Sequence, residues 1–121
     1  MTGRQDGRGD AVRIADIIGA SIRLEKTLEQ GHEHFLSGPD ALDAAIRRLE
    51  IIGEAAGKVS IPTRDRYPEV PWRKLRGFAS FAKHEYWRIK PEEVWKAVEK
   101  MPSIRRVLSK VRVDDLDFRR E

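Results

Sequence analysis

Residues 76–87 read RGFASFAKHEYW. Histidine takes and gives a proton near neutral pH, and His84 stands two residues before Tyr86. Ser80 lies one helical turn before His84 and Arg88 one turn after it. On a straight helix Tyr86 projects about 200° round from His84, and Lys83 about 100°. A helix ending near Trp87 would let the tyrosine hydroxyl swing back. Cations crowd this part of the chain. Residues 64–90 hold Arg64, Arg66, Arg73, Lys74, Arg76, Lys83, Arg88 and Lys90, opposed only by Asp65, Glu69 and Glu85. Such a surface attracts phosphates in a salt-dependent way, although a solvated helix face carries the same charges. Tyr86 and Trp87 are the candidates for stacking on a base. Trp72, Phe78, Phe81 and Trp95 read as core.

Other chemistries find little support. The chain of 121 residues has no cysteine, which excludes disulfides, thiolate zinc sites and a cysteine nucleophile and fits a reducing cytoplasm. There is no phosphate-binding loop, dinucleotide fingerprint, zinc-protease motif or calcium loop. His32 and His34 flank Glu33 and could share a metal in an extended loop, but no third ligand is near in sequence. No metal or other cofactor is expected. No apolar run is long enough to span a membrane. The opening MTGRQDGRGD lacks the apolar core of a secretory signal and reads as a flexible leader. Charged residues are 36% and apolar ones 40%, with net charge +4, the balance of one folded helical domain.

The elements that must position His84 are helices. Asp10 is a good N-cap for a first helix carrying Ile14, Ile17, Ile18, Ile22, Leu24 and Leu28, with Gly31 as its stop. Residues 31–39, GHEHFLSGP, read as a connection. Asp40 can cap a second helix, whose stripe is Leu42, Ala45, Ile46, Leu49, Ile52, Ala56 and Val59. Within it GEAAGK, residues 53–58, offers small residues to a closely packed neighbour. The three prolines of residues 60–72 forbid a regular helix there. A third helix then runs from Pro71 to about Tyr86. Pro91 opens a fourth helix, bearing Val94, Trp95, Val98 and Met101. Pro102 breaks or restarts it, and Ile104, Val107, Leu108 and Val111 follow. The expected architecture is all-α: an antiparallel up-and-down bundle of four main helices with a broken C-terminal one. The domain spans residues 10–112, between a leader at 1–9 and a charged tail at 113–121.

Four blocks in order carry a family resemblance: RRLEIIGEAAGKVS (47–60), YPEVPWRKLRGF (67–78), HEYW (84–87) and PEEVWKAVEKMP (91–102). With them the chain resembles the HepT-like group of HEPN-domain proteins, the toxin halves of toxin–antitoxin pairs of type II or type VII character. The likeness covers residues 14–108. It implies a helical bundle, usually a homodimer, that cleaves RNA without a metal in the cytoplasm. It also implies a minimal nucleotidyltransferase antitoxin of the MntA kind that transfers AMP to the motif tyrosine. The family motif is an arginine, four to six residues, a histidine, one residue and a tyrosine. His84 and Tyr86 match its end, which implies an acid–base role for His84 and makes Tyr86 the modification target. The arginine position is Ala79, and the polar residue that follows is Ser80.

Metal-free cleavage has the 2′-OH attack the adjacent phosphate. A histidine moves the proton, and a cation stabilises the extra negative charge. Arginine does this by meeting two phosphate oxygens at once; Ala79 cannot. Three origins fit an alanine there: a substitution engineered to spare the host, ranked first because the rest of the motif is intact; a natural change with Arg76 or Lys83 supplying the charge; or a natural non-catalytic homologue binding a protein or nucleotide. Arg76 stands about 12 Å along the helix axis from His84, a long reach. A plain nucleic-acid-binding bundle is a further reading.

Overall fold

The computed structural model describes residues 7–111, and over that range the chain is all helix and turn, with no strand. The helices are α1 (Gly7–Gln30), α2 (His32–Leu36), α3 (Pro39–Lys58), α4 (Ile61–Arg66), α5 (Trp72–His84), α6 (Pro91–Glu99) and α7 (Met101–Leu108). A 3-10 turn, Tyr86–Arg88, joins α5 to the strand-like connection before α6. The central helix is α3, which packs on α1 and α5; α1 also packs on α7 and α6. This is the expected up-and-down bundle with a bent C-terminal arm. Most of the proposed leader and the charged tail lie outside the described residues.

Apolar spacing explains the packing. Ile14, Ile17, Ala20 and Leu24 of α1 meet Ala45, Ile46, Leu49, Ile52 and Ala56 of α3 in one core, closed by Val94, Val98, Met101, Ile104 and Leu108. Burying side chains of this kind contributes about 1.5–3 kcal/mol each. Ile22, counted in the apolar stripe of α1, instead faces outward. Gly31 ends α1 with φ 95°, a backbone region open to glycine at little cost.

Several local expectations are corrected. Asp10 does not cap its own helix, since α1 already begins at Gly7. Its buried carboxylate accepts hydrogen bonds from the Ser60 amide (2.9 Å), the Ser60 hydroxyl (2.6 Å) and the Thr63 hydroxyl. It thereby ties the start of α4 to another helix and pairs the Ser60 amide there. The short α4 forms inside the proline-rich stretch because Pro62 sits in its first turn, where a missing N–H costs nothing. The connection 31–39 holds α2, anchored by the buried Phe35. Asp40 lies inside α3, which starts at Pro39 with Gly38 as its cap residue. His32 pairs with Glu92 at 2.9 Å, and its ring lies 5.1 Å from that of Trp95. It thus fastens α2 to α6 rather than joining His34. Among the described residues no three of His, Asp and Glu are grouped to hold a metal ion. No described helix is long and apolar enough to cross a membrane.

Candidate active site

Helix α5 has two faces. Trp72, Leu75 and Ala82 are buried in the core, Ala79 is buried against Gly53 of α3, and the Trp72 indole N–H donates to the Tyr67 carbonyl at 3.0 Å. Arg76, Ser80, Lys83 and His84 are exposed on the other side. The sequence predicts α5 to run to Tyr86, but it ends at His84. Glu85 leaves helical geometry at φ −138°, ψ 43°. His84 therefore sits on the last helical turn, and Tyr86 belongs to the following 3-10 turn.

The small residues of α3 decide how near α5 can come. A Cβ on Gly53 would lie 2.3 Å from the Leu75 carbonyl oxygen and 2.6 Å from the Ala79 Cβ. The two helices thus touch backbone to backbone at this point. At Gly57 an added Cβ would be 3.6 Å from Arg76 Nε, an ordinary contact, so the Arg76 side chain crosses over this glycine. Beside the close approach runs an open groove of about 290 Å³. Its α3 wall is Gly53, Glu54 and Gly57. Its α5 wall is Arg76, Ala79, Ser80, Lys83 and His84.

Five of the six side chains singled out in the sequence thus line one groove. Lys83 does so beside His84 despite its different projection, because α3 walls the groove from the other side. Its ammonium meets Glu54 Oε2 at 2.8 Å. That hydrogen bond and charge hold the Glu54 carboxyl below the ordinary glutamate range and raise the Lys83 ammonium. Glu54 was missed in the sequence; its only signal was a carboxylate set among the small residues of GEAAGK. Among the described residues, Arg76, Ser80 and His84 have no side-chain partner.

Tyr86 goes elsewhere. Its hydroxyl donates to Asp43 Oδ1 on α3 at 3.1 Å instead of returning to His84, because the 3-10 turn redirects it. It is 52% exposed, and the hydrogen bond and charge of Asp43 push the phenol above the ordinary tyrosine value. Nothing in the sequence signalled Asp43. Asp43→Ala is expected to lower the Tyr86 titration midpoint toward the ordinary value. The chain has only two tyrosines, so an alkaline ultraviolet titration of the variant against the unaltered chain reads this directly. Trp87 is 77% exposed, unlike Trp72 and Trp95, which are buried as expected; Phe78 and Phe81 are half-buried.

Fold and groove together define a class: a helical bundle in which a histidine ends a helix in a cation-bearing cleft. The chain belongs to the ribonuclease HepT-like family, whose model matches residues 17–111. Among its relatives is a Thermococcus cleftensis protein named a probable ribonuclease HepT, 35% identical over 101 residues, 82% of this chain and 92% of the relative. A Methanocaldococcus jannaschii protein named as a candidate RNase is 33% identical over 95 residues, 77% of this chain and 87% of the relative. A second candidate RNase of that organism is 29% identical over 109 residues, 89% of this chain and 88% of the relative. No solved structure matches the chain.

Proposed function

We propose that this chain is a metal-independent endoribonuclease of the toxin kind, acting in the cytoplasm as a homodimer. The observation that carries the reading is the groove that His84, without a side-chain partner among the described residues, lines together with Ser80, Lys83 and Arg76. His84 removes the proton of a 2′-OH or returns one to the departing 5′-oxygen. The 2′-oxygen bonds to phosphorus as the P–O5′ bond breaks, leaving a 2′,3′-cyclic phosphate and a 5′-hydroxyl. Ser80 offers a hydroxyl to a phosphate oxygen. With Ala79 at the motif arginine position the chain lacks one transition-state donor and works slowly.

Control falls to Tyr86. Its exposed hydroxyl is the acceptor for AMP: on a minimal nucleotidyltransferase antitoxin the tyrosine oxygen bonds to the α-phosphorus of ATP, the bond to the β-phosphate breaks so that pyrophosphate leaves, and the phenol proton is lost to a base. Each transfer sets a phosphate against the Asp43 carboxylate and near the groove's end, which opposes the entry of RNA. The buried Ala79 also favours a second reading, a non-catalytic dimer that binds a protein or nucleotide. Bulk RNA incubated with the purified chain in excess chelator separates the two. The nuclease reading requires fragments ending in 2′,3′-cyclic phosphate, lost in His84→Ala. Intact RNA at every protein concentration, even with the motif arginine restored, would leave the binding module.

A further inference from the structure

The groove at His84 does not stop at Arg76. On the far side of that residue a second surface groove, of about 360 Å³, is lined by Ile61, Arg64, Trp72, Arg73 and Arg76, with Asp65 as its one acidic wall. Arg76 borders both. The shared row is readable on α5: Arg73, Arg76, Ser80 and His84 recur at three- and four-residue intervals, one face of a helix. From Arg73 to His84 the helix rises about 16 Å. That is longer than the single phosphate a catalytic step requires.

The cations along this path are not equivalent. Helical side chains lean toward the N-terminus of their helix. Lys83 therefore reaches back over the turn of Ala79, next to His84, while Arg76 leans away from His84 and over Gly57. Arg76 is thus poorly placed for the phosphate at His84 and well placed for its neighbour. Lys83 is well placed but occupied, held by Glu54 at 2.8 Å. Both partners of that pair are about half exposed. Exposed ion pairs of this kind contribute little to stability, so a doubly contacted phosphate can displace the carboxylate.

We propose that a single RNA strand lies along α5 through both grooves, with Lys83 on the phosphate at His84, Arg76 on the next, and Arg73 beyond, and that Glu54 competes with the strand for Lys83. This rests on the ribonuclease reading and adds to it a binding track and a local competitor. Arg73 and Arg76 are positioning residues: they fix the register of the strand and leave the chemical step to His84. Arg64 is partly committed, since its Nε donates to the Val59 carbonyl at 3.1 Å, and it is not counted as a phosphate ligand. Trp72 contributes only a buried edge to this wall, so the track reads backbone rather than bases.

The test uses the intact chain and an uncleavable probe, a single-stranded 2′-deoxyoligonucleotide, with affinity measured against salt. Each phosphate contact on a single strand contributes about 0.7 to the slope of log affinity against log salt. Arg76→Gln and Arg73→Gln are each expected to reduce the slope by about that much. Arg106→Gln, on the exposed face of α7, is expected to leave it unchanged. Glu54→Gln is expected to tighten binding by up to about five-fold, because Lys83 is no longer contested. Equal slopes for Arg76→Gln and Arg106→Gln, or no tightening in Glu54→Gln, would overturn the track while leaving His84-dependent cleavage standing. Loss of cleavage with the slopes behaving as expected would instead sink the nuclease reading and keep the strand site.

Discussion

Restoring arginine at position 79 is expected to raise the rate of RNA cleavage by about 10²- to 10³-fold, the usual effect of one preorganised transition-state donor. The side chain has somewhere to go. Ala79 is buried at its Cβ by the approach of Gly53, yet it lines the groove, so a longer side chain extends outward along the cleft. There its guanidinium joins the groove that holds Ser80, Lys83 and His84 and can meet two phosphate oxygens together. Adding His84→Ala to Ala79→Arg is expected to abolish the gain, because charge stabilisation without proton transfer leaves the 5′-oxygen a poor leaving group. Single-turnover rates on a defined RNA in chelator measure both. An Ala79→Arg chain no faster than the original would mean that the missing arginine is not what limits this groove.

The same experiment weighs the cations already present. If Lys83 partly fills the place of the missing arginine, Lys83→Ala slows the original chain far more than it slows Ala79→Arg. Two donors serving one phosphate couple in this way, and distant, independent residues do not. A lysine is the poorer substitute because its ammonium is a point charge rather than a fork, and here it must first leave Glu54.

The sequence announced the elements better than it announced their meetings. Period-3.6 apolar residues and flanking glycines or prolines gave α1, α3, α5 and the bent α6–α7 arm, because those signals are local. Asp10 shows the limit. An aspartate near a helix start reads as a cap for that helix, whereas this one accepts hydrogen bonds at the start of α4, fifty residues on, from Ser60 and Thr63. The turn at Glu85, which sends Tyr86 to Asp43 rather than to His84, likewise depends on a partner helix that local periodicity does not contain. For the site, His84, Ser80, Lys83 and Arg76 could be marked from residue type alone. Helical spacing puts Arg76, Ser80 and His84 on one wall; that Lys83 joins them in a groove and is already occupied by Glu54 follows only from how near α3 comes to α5.

That nearness makes Gly53→Ala the stability change expected to be largest. In a free helix alanine is better than glycine by about 1 kcal/mol, so propensity alone predicts a gain. The tertiary contact reverses it. The new methyl would stand 2.3 Å from a backbone carbonyl oxygen and 2.6 Å from the Ala79 Cβ, and neither belongs to a flexible side chain that can turn aside. Only separating α3 from α5 relieves the overlap. We expect a net loss of about 3 kcal/mol, near the upper end for overpacking, read as a lower urea midpoint at unchanged m-value. Gly57→Ala is the matched control. Its methyl meets Arg76 at 3.6 Å, so it keeps the propensity gain and is expected to be neutral or slightly stabilising. Ala79→Gly in the Gly53→Ala background separates the two contacts. It removes the methyl–methyl overlap but leaves the Leu75 carbonyl in place, so it is expected to restore only part of the loss. Full restoration would mean that the helices meet through side chains at this point. No loss at all in Gly53→Ala would mean that α3 and α5 do not lie this close, and the groove built on their approach would lose its floor.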